Sequence, residues 1–201
     1  MGGETKEANR NDLRWRRTER HLKEALAHQL KNLPLDKVKV TEICREAEIS
    51  KATFYLHYQD IYDLADAFVE AHAEALLDQL GDPSLPFYDV PAFVRSFIQV
   101  FRSQEHKDFM KIADRNRMMP LFMDQLLQKL EERAEAQAPA PKGIKPQIGL
   151  AFIISGLGGA VQSNETVSSE ELEKHLTEFI SKAFEVAAAS GSNDVTSRQH
   201  K

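Results

Sequence analysis

With 201 residues, 42% of them hydrophobic and 28% charged, the chain has the make-up of an ordinary globular protein with a sizeable core. A net charge of −5 excludes a protein that coats nucleic acid over its whole surface, and a lone cysteine excludes an internal disulfide. No apolar run approaches the roughly 20 residues of a membrane-spanning helix.

Charge is uneven along the chain. Residues 1–60 carry 12 Lys+Arg against 10 Asp+Glu, while residues 61–201 carry 14 against 21. A slightly basic N-terminal part on an acidic body suits a protein that meets nucleic acid at one end.

The opening MGGETKEANRND is polar, without the apolar centre of a secretion signal, and is read as a disordered arm over residues 1–12. A first helix is expected from Leu13 to Asn32, with Trp15, Leu22, Ala25, Leu26, Leu30 and Leu33 at helical spacing. Pro34 ends it, because the residue before proline is driven out of helical conformation. The cluster Arg14, Arg16, Arg17 and Arg20 leaves two readings open, a phosphate contact or a solvated helix face.

Two short helices follow around a tight turn in TEICREAEISKATFYLHY, residues 41–58. The first begins near Val40, with either Lys39 or Thr41 as its cap, and buries Ile43, Cys44 and Ala47. Glu48-Ile49 breaks the pattern, and Ser50 is a good N-cap for a helix starting at Lys51. Phe54 and Tyr58, four residues apart, face inward, leaving Lys51, Thr53, Tyr55 and His57 to point outward. Such a pair is a helix-turn-helix, whose second helix enters a major groove. From Ser50 to Gln59 there is one lysine and no acidic residue, a sign of charge that favours phosphate.

The rest is helical by period. Asp60, with Asp63 in the first turn, caps a long helix carrying Ile61, Leu64, Phe68, His72, Leu76 and Leu80, able to couple the head to the body. Further helices are expected at Pro91–Ser103, at Phe109–Met118 and after Pro120. A proline-rich loop is expected over residues 136–146. Gln147–Asn164 is almost wholly apolar, too short and glycine-rich to span a membrane. Its Gly156, Gly158 and Gly159 weaken the helix by about 1 kcal/mol each relative to alanine, which close approach of another helix would offset. A last helix capped by Ser168 or Ser169 carries Leu172, Leu176, Phe179 and Ile180, and residues 190–201 are read as a disordered tail.

The block from Arg17 to Leu64, ending ISKATFYLHYQDIYDL, resembles the DNA-binding region of TetR-family transcriptional regulators, which are bacterial proteins. The resemblance covers about a quarter of the chain at the level of motif. It implies an all-α fold, with a head over residues 13–60 and a ligand-binding and dimerisation domain over 61–189. It also implies a cytoplasmic homodimer on a palindromic DNA operator, released by a small-molecule effector. On the matching positions, Lys51 and Ala52 read base edges, and Tyr55 packs on thymine methyl or donates to phosphate. Thr53 and His57 touch phosphate, joined by Lys39 and Thr41. An effector site would be lined by Phe97, Phe101, Phe109, Met110, Met118, Met119, Phe122 and Phe152. A dimer face would use Phe152, Gly156, Gly159, Leu176, Phe179 and Ile180.

Three departures stand out. Ile61 sits where the family has a phosphate-binding lysine, so that contact is lost or passes to Lys37, Lys39 or the amides opening the next helix. Lys39 sits where Thr or Ser is common, and Glu48 where glycine is frequent in the turn. They keep open a second reading, an adaptor or co-activator that works through a partner protein. No cofactor, metal site or enzymatic centre is expected. The histidines form no HxxxH pair, Cys44 has no CxxC partner, and Gly156–Gly159 lies within an apolar helix instead of before one.

Overall fold

In the computed structural model, which describes residues 13–82, 85–137 and 146–196, every regular element among the described residues is helical. The chain divides into two compact units. One comprises residues up to His72 together with Phe109–Phe122, and the other Ala73–Asp108 together with Met123 onward. The expected arm at 1–12 and all but the edges of the expected loop at 136–146 lie outside the described residues.

The first unit opens with α1 (Leu13–Leu30), which buries Leu22, Ala25, Leu26 and Leu30. Leu33, expected on the same stripe, lies beyond the last helical turn and is exposed. A single 3-10 turn at Leu35–Lys37 follows, and the Leu35 amide donates to Asn116 Oδ1 at 2.8 Å. Helices α2 (Val40–Glu46), α3 (Lys51–His57) and α4 (Ile61–Leu80) then follow, α4 belonging to this unit as far as His72. Seven-residue helices do not hold alone in water. Here Ile43, Cys44, Ala47 and Phe54 bury their apolar stripe. His28 and Gln29 of α1 also bind the Glu46 carboxylate, at 2.6 and 2.8 Å.

In the second unit a short helix α5 (Leu85–Tyr88) precedes α6 (Val90–Phe101), with Asp89 Oδ1 accepting from the Ala92 amide at 3.1 Å. Helix α6 buries Phe93, Val94, Phe97, Ile98, Val100 and Phe101 and packs against α9 (Pro146–Ser163) and α10 (Ser169–Thr196). Helix α7 (Gln104–Arg115) begins five residues before the expected Phe109, because the Ser103 hydroxyl accepts from the His106 amide and supplies the N-cap. Helix α8 (Met119–Gln137) carries Pro120 in its first turn, as proline's fixed φ favours. Ser168 settles the cap of α10 by accepting from the Glu171 amide. That helix runs to Thr196, through the stretch read as tail, which contains no proline to end it.

The glycines of α9 divide by face. A Cβ on Gly158 would come within 3.0 Å of the Phe101 ring, so close approach of α6 accounts for that glycine. Gly156 and Gly159 face open space in this chain. Arg102 closes the α9–α10 connection by donating to the carbonyls of Asn164 and Val167 and to the Ser169 hydroxyl.

Candidate nucleic-acid interface

The geometry of the helix-turn-helix begins with how α2 stops. Glu48 takes a left-handed backbone, φ 55°, with the Ile49 amide donating back to Cys44 O at 3.0 Å and the Glu48 amide to Arg45 O at 3.4 Å. This pattern of two bonds around a left-handed residue is a Schellman stop, which glycine normally occupies. A side chain there costs about 1 kcal/mol or more. The turn leads to Ser50, whose Oγ accepts from the Thr53 amide at 3.0 Å and lies 2.9 Å from Thr53 Oγ1. At the other end of α2, Lys39 is the capping residue in extended conformation, and its side chain makes no capping bond.

Helix α3 therefore has a defined outer face. Lys51 and Ala52 are exposed, as is Tyr55 at 58%. Thr53 is half-buried, with its hydroxyl engaged by Ser50. Lys39 and Thr41 are exposed at the start of α2. Leu56, also exposed, extends the outer face beyond the expected residues.

His57 departs from the expected outward position. Its side chain is 3% exposed and stacks on Trp15 of α1, with ring centroids 3.5 Å apart and planes 27° apart. Helical arithmetic permits this and Trp15 decides it. A buried stripe can take both i+3 and i+4 from Phe54, and the indole on that side holds His57 inward along with Tyr58. Burial holds the imidazole's proton affinity below its ordinary value, partly offset by Glu19, whose Oε1 is 4.0 Å from Nδ1. No phosphate can reach this ring in the arrangement described.

The beginning of α4 is closed to anions as well. Asp60 Oδ1 accepts from the amides of Tyr62 and Asp63 at 2.7 and 3.0 Å, and Asp63 Oδ2 accepts from the Gln59 amide at 2.8 Å. The Asp66 carboxyl is pushed above its usual range, first by burial and then by Asp63 and Asp60. Ile61 is 8% exposed and belongs to the core. Two of the amides suggested as substitutes for the missing lysine are thus already bonded. The signal was present in the sequence as three aspartates, each three residues after the last, in DIYDLAD. Among basic groups, Arg45 is held by Glu42 at 2.7 Å and Lys37 lies 3.4 Å from Asp36. Arg14, Arg16, Arg17 and Arg20 are exposed.

The residues expected to line an effector site form two aromatic groups. In the first unit Phe109, Met118 and Phe122 are buried, and His72 stacks on Phe109 at 3.6 Å with planes 11° apart. Met110 and Met119 are half-buried. In the second unit Phe97 stacks on Phe101 at 3.9 Å. His106, 2% exposed, lies against Phe101, and burial pushes its pKa down to about 4. The side chain of Phe152 lies outside those described. Of the expected dimer residues, Phe179 is 65% exposed, Leu176 half-buried, and Gly156 and Gly159 exposed. Ile180 is instead buried within its own unit, because it lies on the inward stripe of α10 with Leu172.

Solved structures share this architecture. A protein of Pseudomonas aeruginosa PAO1 described as a transcriptional regulator is 17% identical, with 85% of this chain and 91% of that one covered and a TM-score of 0.57. Lin0861 of Listeria innocua is 19% identical over 87% and 93%, also at 0.57. The dihydroxyacetone kinase operon activator DhaS is 15% identical over 85% and 97%, at 0.54. TetR-family regulators, one from Streptomyces coelicolor, stand among the more distant structural neighbours. No protein-family model matches the sequence, and no curated protein matches it. At these identities the likeness establishes the fold, an all-helical one shared with transcriptional regulators. No described helix is long and apolar enough to cross a membrane.

Proposed function

We propose that this chain is a TetR-type transcriptional regulator. In this reading it is a cytoplasmic, non-enzymatic homodimer that binds a palindromic operator through α3 and lets go when a small apolar or amphipathic effector binds. The observation that carries the reading is the outer face of α3. Lys51, Ala52 and Tyr55 stand exposed together on a helix whose first turn is held by Ser50 and whose opposite side is buried. A lysine there can donate to guanine O6 or N7, and a tyrosine can pack on thymine methyl. The fold shared with transcriptional regulators supports the reading, as does the motif ISKATFYLHYQDIYDL. Two copies would set their α3 helices in successive major grooves, about 34 Å apart. The exposed Phe179, Gly156 and Gly159 suit the pairing of α9 and α10.

Titration of the DNA flanking its own gene across a salt series tests this. Sequence-selective binding with a steep salt slope is expected. Lys51→Ala and Tyr55→Ala should each weaken it about tenfold or more, within the 1–3 kcal/mol of a good base contact, without changing the dimer. Two mutants that bind like wild type would remove α3 as the reader. A monomer in light scattering at micromolar concentration would remove the two-fold arrangement.

A second reading, an adaptor or co-activator acting through a partner protein, draws on the same face. Glu48, the buried Ile61, the aspartate-capped start of α4 and the buried His57 all reduce the grip on phosphate. Weak, sequence-indifferent binding to that DNA would favour it.

A further inference from the structure

The contact between Trp15 and His57 is not needed for a solvated helix face, and it is costly to keep. His57 is the last residue of α3 and Trp15 lies in the first turn of α1. Their rings overlap at 3.5 Å, and both Trp15 Nε1 and His57 Nδ1 are buried with no hydrogen-bond partner among the described residues. Buried polar atoms are nearly always satisfied, so two orphans in one contact call for a reason. The stack joins α1 to the far end of α3, the end that the Ser50 cap does not control.

We propose that Trp15 and His57 form a positioning latch for the recognition helix, closed while the imidazole is neutral and released when it takes up a proton. The inference rests on α3 being the DNA-reading helix. It concerns residues that hold that helix in place and do not themselves touch DNA.

The charge around the ring supports a neutral closed state. On α1, the group facing it is Glu19, with Oε1 4.0 Å from Nδ1, and this carboxylate favours the proton. On its own helix and beyond, the neighbour is the Tyr58 ring, with centroids 6.2 Å apart. Burial opposes the proton and outweighs Glu19. A group held below its ordinary value of 6.5 is protonated first in the open state. The latch is therefore intact above that pH. It loses stability as pH falls through 6.5 toward the depressed value in the closed state. Release moves the end of α3, and with it the register of Tyr55.

Trp15 is the single tryptophan of the chain, so its fluorescence reports this contact directly. The experiment follows three signals from pH 8 to pH 5.5 on the full-length protein. They are Trp15 emission, hydrogen–deuterium exchange of the α3 amides corrected for intrinsic rate, and affinity for the flanking DNA. In wild type, emission should titrate with a midpoint below 6.5 and α3 exchange should accelerate in step. Affinity should fall about tenfold, the scale of one lost base contact. His57→Phe keeps a ring on the indole but cannot protonate, so it should bind DNA as wild type at pH 8 and flatten all three profiles. His57→Gln, a neutral polar replacement, guards against a fold defect in the first variant and should also be flat. Titration that persists in both variants overturns the proposal. So does emission that titrates while α3 exchange stays constant. If no DNA binds at any pH but emission and exchange titrate together and are flattened by the variants, the latch stands and the DNA-reading assignment falls.

Discussion

The two units stabilise their helices by different means. In the unit holding the helix-turn-helix, α2 and α3 have seven residues each, and their ends are set by individual polar contacts. Ser50 opens α3, the left-handed Glu48 closes α2, and Asp60 opens α4. In the other unit, α6 is held along its length by buried aromatic and branched side chains, with Phe97 stacked on Phe101 and Arg102 clasping the α9–α10 connection. The first kind of construction ties each position to one residue type. The second asks for bulk and shape, which many residues supply. A surface that must present named side chains at fixed angles gains from the first kind.

The contrast can be broken at four places. Phe97→Ala should cost the most, about 3–5 kcal/mol, because a fully buried ring stacked on a second ring leaves a cavity. Urea denaturation measures it, and a loss below about 1 kcal/mol would mean that the aromatic stack is not what holds α6. Next comes acid sensitivity. His106 is buried and neutral, so the unfolded chain takes its proton first as pH falls below 6.5, and the folded form follows only near pH 4. Across that window the native state should lose about 3 kcal/mol at most, at 1.36 kcal/mol per unit. His106→Phe should flatten the curve of denaturation midpoint against pH, and an unchanged curve would remove His106 as the cause.

The smaller effects belong to the helix-turn-helix. Ser50→Ala removes the cap of α3 and should cost about 1 kcal/mol, with Ser50→Asp retaining most of it. Equal melting temperatures for the alanine variant and wild type would argue that Phe54 alone fixes the helix. Glu48→Gly should move stability in the opposite direction, a gain of up to about 1 kcal/mol, since glycine adopts φ 55° without strain. A loss would show that the Glu48 side chain has a contact worth more than the backbone cost.

How much was legible follows the same division. Caps and stops were readable at Ser50 and Asp60 because capping acts over three residues of the chain itself. Ser103 is not legible as a cap, because a serine at the end of an apolar helix reads as its fading end instead of the next helix's start. Glu48 is legible as an unusual turn residue, while its left-handed backbone shows only in the fold. Arg117, with φ 58°, is a second such stop at a position that holds neither glycine nor asparagine.

Local sequence determined where α3 and α4 begin, which stripe of each helix is apolar, and that Lys51 and Tyr55 share an outward face. These properties depend on 3.6-residue periodicity and on hydrogen bonds between near neighbours, and both are written in consecutive residues. Tertiary structure decided which of the remaining polar side chains meet solvent. Periodicity allows His57 either edge of the buried stripe, and the indole of Trp15, on a helix well before it in the chain, makes the inner edge the occupied one. It likewise decided that Gly158 answers to Phe101 within this chain while Gly156 and Gly159 remain open. Such choices turn on what packs opposite, and partners distant in sequence leave no mark on the local pattern.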